Sequence, residues 1–230
     1  MDRTAEHLML VGGTALLYPA DTGEIQRQAA FDSILYAQLV ANKNAGSRFT
    51  NYEGWYAAYR EAYRQLGWIK LASTYDLKQL GQPVRNAHIQ PLEAWLKMRS
   101  IRHEAVLAAV KAGLARSAEG FRHLLKFSTQ DQAQGAKLVV ELGLLKPGPA
   151  LDLCSITLHF DKPIANLSQD LLLQEHQLKG EAEFNGVSLL LDNGRFQRQR
   201  DELQALMQTK DAQGDYRFDP YAPVKGAHHE

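Results

Sequence analysis

The stretch NYEGWYAAYREAYRQLGW, residues 51–68, contains four tyrosines and two tryptophans. Its tyrosines recur every three or four residues from Tyr52 to Tyr63, so they fall along one stripe of an α-helix. Trp55 and Leu66 widen that stripe into an apolar arc, and the opposite side is polar. Such a helix buries its arc against other elements, so we expect the tyrosine rings at the margin of a core, with their hydroxyl groups near water.

Two further helices are predicted in the first half of the chain. Asp21 and Glu24 have the spacing of a capping box, and the apolar residues after them predict a helix over about residues 23–43. The segment 101–127 has apolar residues at steps of three or four and predicts one long helix. A short strand is predicted at 68–72.

The N-terminal stretch LMLVGGTALLY, residues 8–18, is apolar. It predicts a buried strand or turn that bends at Gly12 and Gly13. The residues before it include Asp2 and Glu6 but a single arginine, so they lack the positive charge that opens a secretory signal. The stretch is also too short to cross a bilayer, which takes about 20 apolar residues.

Strand patterns dominate the second half of the chain. The segments KLVVELGLL (137–145) and LDLCSITLHF (151–160) are separated by the turn sequence KPGPA. The segment LLLQEHQLKGEAEF (171–184) alternates apolar and polar residues, which predicts an antiparallel sheet with one face on a core and the other in water. Asn185 and Gly186 predict a hairpin turn before the strand VSLLL.

This order of patterns predicts the fold class α+β, with a mainly helical N-terminal half packed on a C-terminal antiparallel sheet and one closing helix. We expect residues 1–130 to form the helical region. Residues 131–210 form the sheet and the closing helix, and share one core with the helices. The segment 211–230 lacks periodicity and is predicted to be a loose tail. The closing helix is expected to direct three side chains inward: Phe196, Leu203 and Met207.

Composition narrows the class of protein. The 230 residues are 45% hydrophobic and 23% charged, with 26 cationic and 26 acidic side chains, which is typical of a soluble globular protein without a global charge. The single cysteine excludes an internal disulfide framework and favours a reducing compartment, so we expect a bacterial, cytoplasmic protein. The sequence contains no phosphate-binding loop, dinucleotide fingerprint or zinc-protease motif. Neither a cofactor nor a metal is predicted.

One weak catalytic hypothesis involves the single cysteine. Alternation along its strand places Asp152 and Cys154 on the same face, and His176 lies on the apolar face of the segment 171–184. A Cys154/His176 dyad oriented by Asp152 would make the protein an enzyme of unrecognised type. A covalent acyl chain on Cys154 is a second alternative. Burial as ordinary core residues is favoured over both, because free cysteine is among the most buried residue types.

A local excess of positive charge lies in and before the long helix. Residues 97–126 hold seven cationic side chains against two carboxylates, a net charge of +5. A basic amphipathic helix over 101–127 can dock a protein partner or lie on an anionic membrane surface. Nucleic acid is disfavoured, because no recognition motif accompanies the charge.

By elimination of catalytic motifs, the leading hypothesis is a non-enzymatic interaction protein with an unknown protein partner. The enzyme and a membrane-active protein remain as alternatives. The docking face is expected on the tyrosine-rich helix or the basic helix. The candidate binding residues are Tyr56, Tyr59, Tyr63, Arg116, Arg122 and Lys126.

Overall fold

The computed structural model describes residues 6–80, 103–133, 135–160 and 180–222, and it opens with a β-hairpin. Strands β1 (Glu6–Val11) and β2 (Thr14–Pro19) pair antiparallel across Gly12 and Gly13. Gly12 has φ of 53°, a left-handed conformation that favours glycine. The expected buried strand with a bend at these two glycines is confirmed.

Two helices follow the hairpin. Helix α1 (Glu24–Ala45) matches the prediction for 23–43. Helix α2 (Tyr52–Gln65) is capped by Asn51, whose side-chain oxygen accepts a hydrogen bond from the Gly54 N–H at 3.3 Å. Strand β3 (Trp68–Leu80) comes next and is longer than the predicted 68–72.

The segment 101–127 was expected to form one long helix, but the structure divides it into α3 (His103–Ala115) and α4 (Ala118–Ser128). The break lies at Ser117, which has an extended backbone and accepts a hydrogen bond from the Gly120 N–H at 3.1 Å. Serine in this position starts a new helix, because its hydroxyl group satisfies an N–H that lacks a helical partner.

The remaining strands and helices fill the second half of the chain. They are β4 (Thr129–Gln132), β5 (Gly135–Lys146), β6 (Ala150–Phe160), β7 (Gly180–Leu191), α5 (Asn193–Phe196), α6 (Arg200–Gly214) and β8 (Arg217–Phe218). The two predicted strands 137–145 and 151–160 are confirmed as the antiparallel pair β5 and β6. Phe196, Leu203 and Met207 are buried as expected, but the one closing helix that was predicted is divided into α5, which holds Phe196, and α6, which holds the other two.

The described strands form one mixed, eight-stranded sheet in the order β3-β7-β6-β5-β2-β1-β8, with β4 also paired to β5. The pair β2 and β5 is parallel, whereas the other pairs are antiparallel. The combination of helices with a sheet confirms α+β. The arrangement of a helical N-terminal half on a C-terminal antiparallel sheet is wrong, because the first and last described elements are strands of the same sheet. The pairs β2–β5 and β1–β8 join residues more than a hundred positions apart, so no local sequence pattern could predict them.

Helices cover both faces of this sheet. One face meets α1, α2 and α6 in a first core that includes Val139 and Leu153. The other face meets α3 and α4 in a second core that includes Leu138 and Cys154. Side chains on both faces of β5 and β6 are therefore buried. The water-facing side expected for the segment 171–184 stays a prediction over residues 171–179, which lie outside the described residues.

Asn185 and Gly186 lie within β7, where Gly186 pairs with both Thr74 of β3 and Cys154 of β6, so the predicted hairpin turn is wrong. Neighbouring strands on both sides hold the backbone extended. The predicted loose tail also differs in part, since α6 continues to Gly214 and β8 pairs with β1. Residues 223–230 lie outside the described residues. No helix in the described ranges has the length and apolar character needed to cross a membrane.

Candidate functional site

A pocket of about 430 Å³ opens where the α1–α2 connection meets the end of α4. That volume lies within the range of about 300–1,000 Å³ that small-molecule sites occupy. Its walls come from α1, the connection, α2, α4 and the segment after α6. They are formed by Leu35, Gln38, Leu39, Asn42, Gly46, Ser47, Arg48, Phe49, Trp55, Lys126, Phe127 and Tyr216. We call this space the arginine pocket.

Arg48 is the buried cation of this pocket, with 7% of its surface exposed. Its guanidinium carbon lies 5.5 Å from the ring centre of Phe49 and 5.5 Å from that of Trp55. A guanidinium N–H donates to the Phe127 carbonyl oxygen at the end of α4. Burial lowers the pKa of Arg48, and the charge of Glu141 acts in the opposite direction. Arginine nevertheless keeps its proton in proteins, so the pocket contains a fixed positive charge.

A chain of hydrogen bonds lies beneath the arginine pocket. Gln38 donates to the Val11 carbonyl oxygen at 3.1 Å and to the Thr14 hydroxyl oxygen at 2.8 Å. Thr14 in turn donates to the Glu141 carboxylate at 2.9 Å. The chain therefore joins α1 to β1, β2 and β5, and it fixes the hairpin turn against the helix.

Glu141 is the acidic centre of this network and was not singled out in the sequence. Tyr59 donates to its carboxylate at 2.6 Å, and the hydroxyl groups of Tyr59 and Tyr63 lie 3.0 Å apart. Burial raises the pKa of Glu141 above its ordinary value of 4.5, although the bonds from Tyr59 and Thr14 partly oppose this. The signal was available in KLVVELGLL, where one glutamate interrupts an apolar strand. A lone carboxylate among such residues indicates a buried partner.

The tyrosine stripe of α2 faces the sheet. Tyr56, Tyr59 and Tyr63 are 4%, 1% and 0% exposed, and Trp55 is 3% exposed. The deep burial of Trp55 was expected and is confirmed. The tyrosine hydroxyl groups were expected near water, and that expectation is wrong because they are buried with their rings. Two of them have partners on the sheet, since Tyr59 donates to Glu141 of β5 at 2.6 Å and Tyr52 donates to Ser155 of β6 at 2.9 Å. The hydroxyl group of Tyr56 is buried without a hydrogen-bond partner among the described residues. The three candidate tyrosines are therefore part of the core and present no exposed face for docking.

The cationic candidates lie on the surface of the α3–α4 region. Arg116 lies over the ring of Tyr221 at 4.7 Å. Arg122 donates to the Ala118 carbonyl oxygen at 3.4 Å, within α4. The ammonium group of Lys126 lies 3.5 Å from the Gly214 carbonyl oxygen. The structure does not bring the three together, and of them Lys126 alone lines the arginine pocket.

Cys154 lies in the second core with 2% of its surface exposed, as the sequence predicts. Burial, with a smaller contribution from Glu141, raises the pKa of Cys154 to about 12, so its thiol is protonated at neutral pH. The Asp152 carboxylate accepts a hydrogen bond from the Ser188 hydroxyl group and forms an ion pair with the Lys146 ammonium group. His176, the proposed partner of Cys154, lies outside the described residues. Within the described ranges, no three metal-binding side chains form a group that could hold an ion.

A second concave space of about 540 Å³ lies between α1 and α6 and shares Leu39 and Tyr216 with the arginine pocket. We call it the α1–α6 groove. It is lined by Tyr36, Leu39, Val40, Lys43, Leu206, Met207, Lys210, Gln213 and Tyr216. The described side chains that line the two spaces include four cations and no carboxylate. Both spaces therefore favour a partner with negative charge.

Comparisons with known proteins add little to this geometry. No protein-family model matches the chain, and no curated protein matches it. Among solved structures, the chain is similar to one titled "Structure of the Evf virulence factor". The two share 11% sequence identity over 89% of this chain and 84% of the other, with a TM-score of 0.38. A likeness at that level supports no conclusion about fold or function.

Proposed function

We propose that this chain is a non-enzymatic interaction protein that binds an acidic segment of a partner protein along the α1–α6 groove. The observation that supports the proposal is an apolar floor bordered by lysines, with no carboxylate among the described lining residues. The single cysteine is free, which suits a reducing compartment such as the cytoplasm.

The floor of the groove supplies the apolar part of the interaction. Leu206 of α6 is 43% exposed, although it is a large hydrophobic side chain. Leu39 and Val40 of α1 are partly buried and lie beside it in the groove. Covering these side chains would remove apolar surface from water, which is the main favourable term in protein association. Two helices with a hydrophobic floor between them are suited to binding an amphipathic helix.

The borders of the groove supply its charge preference. Lys43 lies in the last turn of α1, and Lys210 lies on α6 with its ammonium group 3.3 Å from the Gln213 side-chain oxygen. Asp211 is near this border, but its carboxylate accepts a hydrogen bond from the Tyr216 N–H at 3.0 Å. Exposed lysines at the rim of an interface increase the rate of encounter with an acidic partner and exclude basic ones.

The test uses two synthetic amphipathic peptides with the same apolar positions, one with glutamate and one with lysine at the polar positions. Binding to the whole chain is measured by fluorescence anisotropy at low and high salt. We expect the acidic peptide to bind, and its affinity to fall with salt. The double variant Lys43→Glu, Lys210→Glu should weaken it about tenfold, because two favourable charges become repulsive.

The control variant reverses two exposed cations outside the groove, Lys70→Glu and Arg198→Glu. It changes the net charge of the protein by the same amount and should leave most of the affinity intact. Equal binding of the acidic and basic peptides would contradict the proposal. So would failure of the acidic peptide to bind, or an equal loss of affinity in the two double variants.

A further inference from the structure

We infer that the arginine pocket is a second binding site, for a small planar anion in which an aromatic ring carries a carboxylate, sulfonate or phosphate group. The inference goes beyond the partner-protein groove and does not depend on it. The inference rests on three features of the pocket: the buried guanidinium group of Arg48, the ammonium group of Lys126 at the surface, and walls that contain aromatic rings.

The charge of the ligand follows from the cations of the pocket. Arg48 and Lys126 line it from two different elements, and no carboxylate is among its described lining residues. A guanidinium has five N–H donors, and the bond from Arg48 to the Phe127 carbonyl oxygen uses part of that capacity. The aromatic rings around Arg48 hold its plane in position, which favours recognition of an oxyanion.

Glu141 is the acidic group whose field acts on Arg48, and it belongs to the network below the pocket. Its carboxylate accepts hydrogen bonds from Tyr59 and Thr14, at 2.6 and 2.9 Å. It is absent from the lining of the pocket. An anion that enters from solvent therefore meets the two cations before it meets the carboxylate.

The planar part of the ligand follows from the walls. Phe49, Trp55, Phe127 and Tyr216 all line the pocket. The indole N–H of Trp55 donates to the Asn42 side-chain oxygen at 2.7 Å, which fixes the orientation of its ring. Rigid aromatic surfaces of this kind favour offset or edge contacts with another ring. The volume of about 430 Å³ lies within the range of small-molecule sites.

The test compares two dyes that share one ring system, anilinonaphthalene sulfonate, which is anionic, and N-phenylnaphthylamine, which is neutral. Each is titrated against the whole native chain by dye fluorescence, with energy transfer from tryptophan as a second readout. We expect one equivalent of the anionic dye to bind, and the neutral dye to bind about tenfold more weakly because it lacks the charged hydrogen bond. Trp55→Phe should reduce the energy transfer, since Trp55 lines the pocket.

Two lysine variants locate the charge contact. Lys126→Gln should weaken the anionic dye about threefold, as expected for an exposed charge contact. Lys70→Gln is the matched control, because that lysine is exposed and lines neither the pocket nor the α1–α6 groove. It should leave the affinity unchanged.

Arg48→Lys keeps the charge but loses the planar fork, and should weaken the anionic dye about tenfold. If circular dichroism shows that Arg48→Lys does not fold, the two lysine variants and the comparison of the two dyes still test the inference. Equal affinity for the two dyes would overturn the inference. So would equal effects of Lys126→Gln and Lys70→Gln, or unchanged energy transfer in Trp55→Phe.

Discussion

Glu141 shows how one residue of β5 organises the interior of the first core. It projects from the same face of the strand as Val139, toward α2, and its carboxylate binds the hydroxyl groups of Tyr59 and Thr14. A buried carboxyl group is tolerated when its hydrogen bonds are made, and burial favours its neutral form. The raised pKa of Glu141 therefore predicts a pH-dependent contribution to stability.

The substitution Glu141→Gln removes that titration and keeps the size of the side chain. Since the pKa of Glu141 in the folded chain is above 4.5, the folded state holds this proton more tightly than the unfolded chain does. The stabilising contribution of this proton is fully present at a pH below the pKa of Glu141 in the unfolded chain. It is lost as the pH rises through the pKa of Glu141 in the folded chain.

The free energy of unfolding of the wild type minus that of Glu141→Gln should therefore fall as the pH rises from about 4 into the range above 4.5. Urea unfolding of both proteins across this range measures the difference, and other titrating groups cancel because both proteins contain them. Parallel curves would show that the pKa of Glu141 is the same in the folded and unfolded chains.

At the scale of the element, α4 is an amphipathic helix with one side in the second core. Phe121 and Leu124 are 4% and 1% exposed, whereas the next residue after Phe121, Arg122, is exposed. Neighbouring positions on one helix thus have opposite environments, which allows a matched comparison of the same substitution.

Phe121→Asp should unfold the protein or make it insoluble. Loss of a large buried aromatic ring costs about 3–5 kcal/mol, and an unpaired carboxylate in the core adds to that cost. Arg122→Asp, its control, should change the free energy of unfolding by about 0.5 kcal/mol or less, as expected for the surface. Thermal unfolding of the two purified proteins checks this. A soluble Phe121→Asp with an unchanged midpoint would place this side of α4 outside the core.

At the scale of the whole molecule, Arg48 links the two helical layers at one end of the sheet. It belongs to the connection between α1 and α2, and its guanidinium passes Gly13 to reach the Phe127 carbonyl oxygen of α4. A β-carbon added to Gly13 would lie 2.0 Å from an Arg48 nitrogen, so the guanidinium would have to move if this residue were alanine. The hairpin turn, the first layer and the second layer therefore meet at one side chain.

Gly13→Ala should displace Arg48 and lower the free energy of unfolding by about 1–3 kcal/mol, the usual effect of overpacking. The control is Gly23→Ala at the start of α1, where an added β-carbon meets nothing within 4 Å. Alanine has less conformational freedom than glycine in the unfolded chain, which stabilises the folded state, but it is a poorer residue at a helix N-cap. Because the two effects oppose each other, the free energy of unfolding should change by about 0.5 kcal/mol or less. Denaturant unfolding compares the two alanine variants, and equal stabilities would show that Arg48 can move without loss.

Periodicity along the sequence was enough to predict several elements. Helix α1, the aromatic stripe of α2, the β5–β6 pair and the buried face of β6 that holds Cys154 were all read from local patterns. These features are local, because the spacing of apolar residues reports which side of a helix or strand avoids water.

The partners of those elements were decided by the tertiary structure. The parallel pairing of β2 with β5 joins Thr14 to Glu141, and nothing near either residue indicates the other. The extended Asn185-Gly186 pair and the arginine pocket likewise depend on elements that meet only after folding. A sequence pattern therefore determined one buried side of each of these elements, whereas the burial of the second face of β5 and β6 was decided by the helices that cover it. Which surfaces meet was decided by packing across the sheet, since contacts between distant residues leave no trace in local spacing.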